Sequence, residues 1–337
     1  MMARVGIRDV AALAGVAVGT VSHYLNHPDR VSDEKALRIR SAIDTLGFVP
    51  SSAGRQLRLG VSTVVGYLAP DVSNPYFAEI AESIERRASD LGVSVFLANS
   101  HRDREREDHY LQMFEEYRVR GLIVSSHQPI EERLAGVRLR GTPSVLVGQA
   151  ARSPEQVSVS LDDVDGGRQV VQHLLSLGHR RIAFVGGPLG IPQVSDRLAG
   201  ASAAVETWGA ASLEVIAQAD RTLAGGREVG RALLARRADV RPEAVFAAND
   251  LLALGIMNEL VTAGLQVPED IAVAGYDDIE FAASSLIPLT TVQGRHDGYG
   301  VAVVDLLTEV MAGRAIAEPH RVFTPELIVR ASTVGRS

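Results

Sequence analysis

The chain has 337 residues, of which 46% are hydrophobic and 22% charged, a composition typical of a soluble globular protein with two or three domains. It contains no cysteine, which excludes disulfide bonds and cysteine-ligated zinc sites. No apolar run approaches the roughly 18–20 residues that a membrane span requires, and the first residues lack the basic-then-apolar pattern of a secretion signal. We therefore expect a cytoplasmic protein.

The net charge of −7 is unevenly distributed along the chain. Residues 1–60 hold eight Arg or Lys and five Asp or Glu, a net of +3, and the remainder carries a net of −10. A basic head on an acidic body suits a protein that contacts DNA phosphates through its head alone. Because an excess of three charges is small, chance is the alternative explanation.

The stretch Ile7–Asn26 has the pattern of two short helices joined by a tight turn. Apolar residues recur on one face of the first helix, and these are Ile7, Val10, Ala11 and Ala14. Gly15 supplies the turn, because glycine takes a positive φ at little steric cost. The second helix runs from about Val18 to Asn26, with Val21 and Leu25 facing inward. This is the helix-turn-helix layout, whose second helix can enter a DNA major groove.

A third helix is predicted from Ser32 to about Leu46. Pro28 prevents the second helix from continuing, and Ser32 is a favourable N-cap. Gly47 ends the third helix. The residues expected to cover the first two helices are Leu37, Ile39, Ile43 and Leu46.

The next segment, Ser51–Leu59, has helical character over only about two turns, which is too short to be stable alone in water. Gly54 destabilises such a helix by about 1 kcal/mol relative to alanine. The segment carries an apolar residue between two arginines, Arg55, Leu57 and Arg58. A plain linker with an isolated leucine is one interpretation of this pattern.

From Val61 onward, apolar strands alternate with amphipathic helices, which predicts parallel sheets covered on both faces. The number of predicted strands is too large for a single sheet, so we expect two α/β lobes. The predicted strands are Val64–Leu68, Val93–Leu97, Gly121–Ser125, Ser144–Val147, Ile182–Val185, Glu214–Ala217, Ala244–Ala247, Ile271–Ala274 and Thr291–Gln293.

Ordered motifs along the whole chain resemble the lac repressor/galactose repressor family of bacterial transcription factors. In the head the resemblance is carried by VGTVSHYLN and RVSDEKALRIRSAIDTLGFVPSSAGRQLR. In the body it continues through VGYLAPDVSNPYFAEI, LGHRRIAFVGG, DRLAGASAA, AANDLLALG and AGYDDIEFAASSLIPLTTV. The resemblance implies a helix-turn-helix head over residues 1–49, a hinge helix over 50–60 and an effector-binding and dimerisation body over 61–337.

The body is then expected to have the periplasmic-binding-protein type I fold, in which the chain crosses between two lobes three times. We place the crossings near residues 160, 290 and 321. Lobe 1 would comprise about 61–160 and 291–320, and lobe 2 about 161–290 and 321–335. Ligands of such sheets bind outside the carboxyl ends of the strands, here in the cleft between the lobes.

Several head residues are candidates for DNA contact. Thr20 and Ser22 are short hydroxyl residues suited to phosphates and base edges, and His23 could contact a guanine or a phosphate. The resemblance places Val18 and Gly19 at specificity positions. The further candidates implied by the resemblance are Asn26 and Arg30 as backbone anchors, Leu57 as a minor-groove wedge, and Arg55 and Arg58 as its phosphate-contacting neighbours. A solvated helix face is the alternative for the recognition-helix residues.

The candidate effector-binding residues lie on loops that follow strands. By resemblance, Arg197 would grip vicinal hydroxyls or a carboxylate, Asp277 would accept hydroxyl hydrogen bonds, and Asn249 would contact ligand. Of the pair Asn249 and Asp250, one is expected to be an N-cap. The other candidates are Tyr76 and Phe77, which could stack on a flat ring or pack at a helix start, and His127.

Arg221 stands where the family often has an aromatic residue that stacks on a sugar ring. An arginine there would suit an anionic or more polar ligand, so we expect Arg221 to contact the effector. A surface arginine without a ligand is the alternative.

No motif of catalysis is present. The only lysine, Lys35, lies in a helix, so a Walker loop is excluded, and there is no H-E-x-x-H or G-x-S-x-G sequence. We therefore expect no enzyme activity, no cofactor and no metal. The charged run His101–His109 is interpreted as a solvated helix face.

The sequence thus predicts a transcriptional regulator, in the first place a repressor, that binds a pseudo-palindromic DNA operator as a homodimer. A small-molecule effector, a sugar or sugar derivative, would control it from the cleft. The chain continues little beyond its last strand and has no heptad tail, which favours a dimer over a tetramer. The alternatives are control by a protein corepressor, control by a non-sugar anionic metabolite, and a solute-binding transport protein with the same body.

Overall fold

The computed structural model describes residues 5–49, 62–294 and 296–334. The chain separates into two compact units, residues 1–62 and residues 63–337, which we call the head and the body. None of the described helices is long and apolar enough to cross a membrane.

Over residues 5–49, the head contains three α-helices. Their bounds are α1 Ile7–Ala14, α2 Val18–Asn26 and α3 Asp33–Leu46, with a short 3₁₀ turn at Pro28–Arg30. The turn between α1 and α2 is made at Gly15, where φ is +63°. The guanidinium of Arg38 on α3 donates a hydrogen bond of 2.9 Å to the Gly15 carbonyl, so the third helix fixes the turn of the first two.

A small apolar core lies between the three helices, formed by Val10, Ala11, Ala14, Val21, Ile39 and Ala42. Leu25, Ile43 and Leu46 pack against it from partly buried positions. The expectation for Leu37 was wrong, because its side chain is 69% exposed. Ile39 and Ala42 occupy the buried face of α3 instead, three residues apart, and Leu37 lies off that face.

Two lobes make up the body, and lobe 1 contains a six-stranded parallel sheet in the order β11-β5-β4-β3-β1-β2. Its strands are β1 Val64–Ala69, β2 Ser94–Asn99, β3 Leu122–Ser125, β4 Ser144–Val147, β5 Val157–Leu161 and β11 His320–Phe323. Its helices are α4 Pro75–Asp90, α5 Arg104–Glu116, α6 Glu131–Leu139 and α12 His296–Met311.

Lobe 2 contains a four-stranded parallel sheet in the order β7-β6-β8-β9. Its strands are β6 Arg181–Gly186, β7 Ser212–Ala217, β8 Ala244–Ala247 and β9 Ala272–Ala274. Its helices are α7 Asp163–Ser176, α8 Pro192–Trp208, α9 Leu223–Leu234, α10 Asp250–Thr262, α11 Glu280–Ser284 and α13 Ala331–Val334, with a 3₁₀ turn at Ala238–Val240. The fold class predicted from the sequence, a helical head and a two-lobed α/β body with parallel sheets, is confirmed.

Three segments connect the lobes. The first follows β5, and the other two are the short antiparallel strands β10 Thr291–Gln293 and β12 Glu326–Ile328, which pair with each other. The crossing expected near 321 was placed too early. Because β11 pairs with β5 as far as Phe323, lobe 1 includes residues up to 323.

Candidate functional site: the recognition helix and the inter-lobe cleft

Helix α2 turns one face to the core and the other outward. Val21 is fully buried, whereas Val18 and His23 are exposed and Thr20 and Ser22 are partly exposed. A Cβ added at Gly19 would meet no atom within 4 Å, so a DNA backbone could approach closely there. The outward face therefore presents the side chains predicted for DNA contact.

A shallow groove runs along this face of the head. It is lined by Gly19, Thr20, His23, Arg30 and Lys35, with Val31 and Ser32. Two cations thus stand beside the exposed residues of the recognition helix, an arrangement suited to phosphate oxygens. Lys35 was missed from the sequence, because nothing in its pattern shows that α3 brings it next to α2.

The remaining DNA-contact candidates differ in what the structure shows of them. The Asn26 amide donates to the Ser22 carbonyl at 2.5 Å, so it supports the end of its own helix. Arg55, Leu57 and Arg58 lie outside the described residues, and their roles stay predictions.

In the body, all seven predicted effector-binding residues line one cavity of about 70 Å³ between the lobes. The cavity lies at the carboxyl ends of the strands, as expected for parallel sheets. The residues it brings together are Tyr76, Phe77 and His127 from lobe 1 and Arg197, Arg221, Asn249 and Asp277 from lobe 2. That they bind an effector stays a prediction.

Arg197 is the centre of a buried charge cluster, with only 7% of its surface exposed. Its Nε donates to Asp163 Oδ1 at 2.8 Å, and its Nη1 lies 3.5 Å from Asp277 Oδ1. Nη1 also donates to the Ala248 carbonyl at 2.5 Å, and the guanidinium stacks 3.6 Å from the Tyr276 ring centroid. Burial alone would lower the pKa of Arg197, but the two carboxylates raise it above its usual value, so the guanidinium stays charged.

Two glycines allow the helices on either side of this cluster to approach closely. A Cβ on Gly167 of α7 would lie 2.0 Å from the Arg197 carbonyl oxygen, and one on Gly200 of α8 would lie 1.9 Å from the Val164 carbonyl oxygen. Since such distances are impossible for real atoms, both positions require glycine. The close packing holds Arg197 on α8 against Asp163 on α7.

Arg221 contacts lobe 1 across the cavity. Its Nη2 lies 3.2 Å from His127 Nδ1 and 3.3 Å from Nε2, and a neutral imidazole can accept this hydrogen bond at one nitrogen. Burial lowers the pKa of Arg221 to about 10, helped by the like charges of Arg197 and Arg102. Burial also lowers the pKa of His127 well below its usual value, with Arg221 acting in the same direction, so His127 is neutral at pH 7.

A second bridge between the lobes is made by Arg102, which follows β2. Its guanidinium lies 3.6 Å from Asp71 of lobe 1 and 3.4 Å from Asp220 of lobe 2. Asp71 also accepts hydrogen bonds from the backbone and hydroxyl of Ser73. The two bridges thus contact lobe 2 at adjacent residues, Asp220 and Arg221.

The other cleft candidates have structural partners as well. Asn249 is the N-cap of α10, accepting from the Leu252 N–H at 3.1 Å, and its amide donates to the Arg221 carbonyl at 3.2 Å. The expected N-cap is thus confirmed and belongs to Asn249. The ring of Phe77 packs edge-on against His127 at 5.8 Å, so Phe77 shapes the wall of the cavity.

Comparison with known proteins identifies the family to which the chain belongs. Residues 6–51 match the bacterial regulatory proteins of the lacI family, and residues 171–333 match a periplasmic binding protein-like domain. The ribose operon repressor of Escherichia coli strain K12 is 34% identical over 332 residues, which cover 97% of this chain and 99% of that protein. The chain belongs to the lacI family.

Other relatives agree with this assignment. The transcriptional repressor PurR of Aliivibrio fischeri is 32% identical over 335 residues, 98% of each chain. Among solved structures, the lac repressor dimer bound to operator and the anti-inducer ONPF has a TM-score of 0.84 at 28% identity and covers 99% of this chain and 100% of that one. A complex of the transcriptional regulator CelR with cellobiose has a TM-score of 0.71 at 31% identity, covering 98% and 100%.

Several cleft residues of this lacI-family regulator escaped the sequence interpretation. They are Asp71, Arg102, Asp163, Gln193 and Thr222. Asp71, Arg102 and Asp163 each follow a strand of lobe 1, so the rule that ligands bind beyond strand carboxyl ends could have found them. Gln193 and Thr222 lie at helix starts and carry no sequence signal of their own.

Proposed function

We propose that this lacI-family regulator is a repressor that binds a two-fold symmetric operator as a homodimer. A small polyhydroxylated molecule, a sugar or sugar derivative, controls it from the cleft between the lobes. The observation that carries this proposal is the cavity in which all seven predicted effector-binding residues meet.

The chemistry of the cavity fits a polyhydroxylated ligand. Arg197 offers donors in a fixed fork and Asp277 offers acceptors beside it, a combination that can bind adjacent hydroxyl groups. Phe77 and Tyr76 add apolar walls, which suit the carbon face of a ring. Ligand sites of this kind combine apolar walls with a few fixed polar groups.

The homodimer is supported by exposed apolar surface. In lobe 2 a groove is lined by Leu223, Val261, Phe281 and Leu286, of which Phe281 is 53% and Leu286 91% exposed. In lobe 1 the edge strand β2 exposes Phe96 and Leu97. Apolar patches of this kind mark interaction sites, and an exposed edge strand can form hydrogen bonds with another chain. A second copy of the chain would cover the lobe 2 groove and the β2 edge.

Control follows from the position of the cavity between two lobes. A ligand that contacts both lobes stabilises the lobe arrangement that it bridges, and it changes DNA affinity only if its own affinity differs between the DNA-bound and free states. The connector of residues 50–60, with Leu57 as a minor-groove wedge flanked by Arg55 and Arg58, is the proposed means of transmission. Such a protein would act in the cytoplasm, on the nucleoid.

The DNA-binding part of the proposal is tested by selecting sites from a random duplex library with the full chain. The expected result is a pseudo-palindromic site whose binding constant falls linearly with salt concentration on logarithmic axes, because phosphate contacts release counterions. Equal affinity for selected and scrambled duplexes would contradict the proposal.

The dimer is tested by light scattering on the full chain. We expect a dimer that Phe281→Asp converts to a monomer, whereas Val240→Asp, which also places a charge at an exposed apolar position of lobe 2, leaves the dimer intact. A wild-type monomer or tetramer would contradict the proposed assembly.

A further inference from the structure

Among the described residues, three arginines line the cleft, and two of them are paired with carboxylates. Arg197 is paired with Asp163 and Asp277, and Arg102 is paired with Asp71 and Asp220. Arg221 has no carboxylate within 4.0 Å among the described residues. Its side-chain partner there is the uncharged ring of His127.

The surroundings of Arg221 disfavour its own positive charge. Burial is the main cause of its lowered pKa, and Arg197 and Arg102 repel its charge. The attraction of Asp277 and Asp71 offsets only part of this effect. A partly buried charge without a directly contacting counter-ion is destabilising, and a ligand anion bound to the guanidinium beside His127 would supply that contact. The guanidinium presents donors in a planar fork that matches carboxylate and phosphate oxygens.

The N-terminus of helix α9 also favours an anion near Arg221. Helix α9 begins at Leu223, and its N-cap Thr222 lies between that residue and Arg221. Thr222 lines the same cavity. The first turn of a twelve-residue helix carries a partial positive charge that favours an anion nearby.

The cavity also contains a hydrogen-bond acceptor that lacks a donor. The carboxamide oxygen Oε1 of Gln193 is buried and has no hydrogen-bond donor among the described residues. A buried acceptor without a donor destabilises the unliganded protein, and a ligand hydroxyl would satisfy it. One cavity therefore offers an unpaired cation and an unpaired acceptor.

We propose that the effector is a polyhydroxylated anion whose negative group binds to the guanidinium of Arg221 beside His127, while one of its hydroxyls donates to Gln193. Sugar carboxylates and sugar phosphates share this chemistry. The inference depends on the proposed function, since it names the class of ligand for the same cleft.

The test uses the full chain and matched sets of probes that differ in charge. One set is D-glucose, D-gluconate and D-glucose 6-phosphate, and the other is D-ribose, D-ribonate and D-ribose 5-phosphate. We expect an anionic member to raise the melting temperature at a concentration where its neutral counterpart does not. Stabilisation by the aldonate indicates a carboxylate effector, and stabilisation by the phosphate ester indicates a phosphorylated one.

Variants then locate the anion. Calorimetric titration should show that Arg221→Gln weakens binding of the anionic probe about tenfold to a hundredfold, the range expected for loss of a charge-assisted hydrogen bond. Arg221→Lys should retain part of the affinity because it retains the charge. Arg227→Gln is the matched control, since Arg227 lies on α9, is exposed and does not line the cavity, and it should bind like the wild type.

The outcomes separate this inference from the proposed function. Binding of a neutral sugar with an affinity that Arg221→Gln leaves unchanged would overturn the anion site and leave the carbohydrate-controlled repressor standing. Arg221 would then only close the cleft through His127. Failure of every probe to stabilise the chain or to alter its DNA affinity would count against both.

Discussion

The head and the cleft recognise their partners with opposite arrangements of polar groups. In the head, the groups predicted to contact DNA are exposed or partly exposed on α2, around a core of six small or medium apolar residues. In the cleft, most polar groups are at least partly buried and hydrogen-bonded, and Arg197 has two carboxylates and a carbonyl as partners.

This difference determines what a mutation can do in each region. Exposed polar groups stay hydrated in the folded protein and contribute little to its stability. Replacing one in the head should therefore alter DNA affinity and leave stability unchanged. Buried charges depend on each other, so removing one in the cleft should alter stability and ligand binding together. The following predictions test that contrast from the largest expected effect to the smallest.

The head core should tolerate no charge. Val21 is fully buried on α2, and Val21→Asp would bury a carboxylate without a partner, which costs several kcal/mol. We expect the head to unfold and sequence-selective DNA binding to be lost, as measured by fluorescence anisotropy. The body has its own core, so its melting transition should be retained; retained DNA selectivity would contradict this account of the head.

The cleft should be destabilised by loss of its central cation. Arg197→Met removes the cation that contacts the buried carboxylates of Asp163 and Asp277, and breaking a buried ion pair in this way costs about 3–5 kcal/mol. Urea denaturation measures the effect, and Arg227→Met on exposed α9 is the control. A loss below about 1 kcal/mol would show that these buried charges do not depend on each other.

Removing one partly exposed hydroxyl in the head should have a smaller effect, on DNA affinity and not on stability. Thr20→Ala on α2 should weaken binding to the selected site by about 1–2 kcal/mol, the range for one good polar contact to DNA, with an unchanged melting temperature. Thr45→Ala, also at an exposed position but on α3, should bind normally. Equal effects of the two variants would remove α2 from the DNA interface.

The smallest effect should appear as a pH dependence of the unliganded body. The pKa of His127 is lowered in the folded state by burial and by Arg221, so the unfolded state binds more protons below about pH 6.5. The contribution of His127 is therefore present above that pH and is lost as the pH falls. Between pH 8 and pH 5.5, wild type should lose on the order of 1 kcal/mol more stability than His127→Gln; parallel curves would show that His127 is not held neutral.

The sequence predicted the head more completely than the cleft. Both helices of the helix-turn-helix and the turn at Gly15 are read from local periodicity and from one glycine, which are properties of neighbouring residues. The error at Leu37 has the same origin, because periodicity shows that a helix has an apolar face but a single exposed leucine can look like part of it.

In the body, the strands with continuous apolar runs were found, whereas the three polar or short strands β5, β11 and β12 are not among those predicted. In β5, Ser158 and Ser160 interrupt the apolar run yet are buried. Ser158 is satisfied by the Ala151 N–H and by His320 on β11. Since this pairing joins residues 162 positions apart, no local pattern could reveal it.

The sequence predicted which residues line the cleft but not which of them contact each other. All seven candidates reach the cavity, but the contact between Arg221 and His127 joins residues 94 positions apart in different lobes. Which arginine is paired and which lacks a carboxylate depends on how the lobes meet. That distinction underlies the inferred anion site, and it exists only in the folded body.

The most direct test of the account measures the dissociation constant of the full chain for its selected DNA site while the stabilising probe is titrated to saturation. We predict a change of at least about fivefold, the lower end of ordinary allosteric coupling. The change should be lost in Asp277→Asn, which removes an acceptor from the cleft. An unchanged dissociation constant at saturating ligand would contradict the claim that the cleft controls the head.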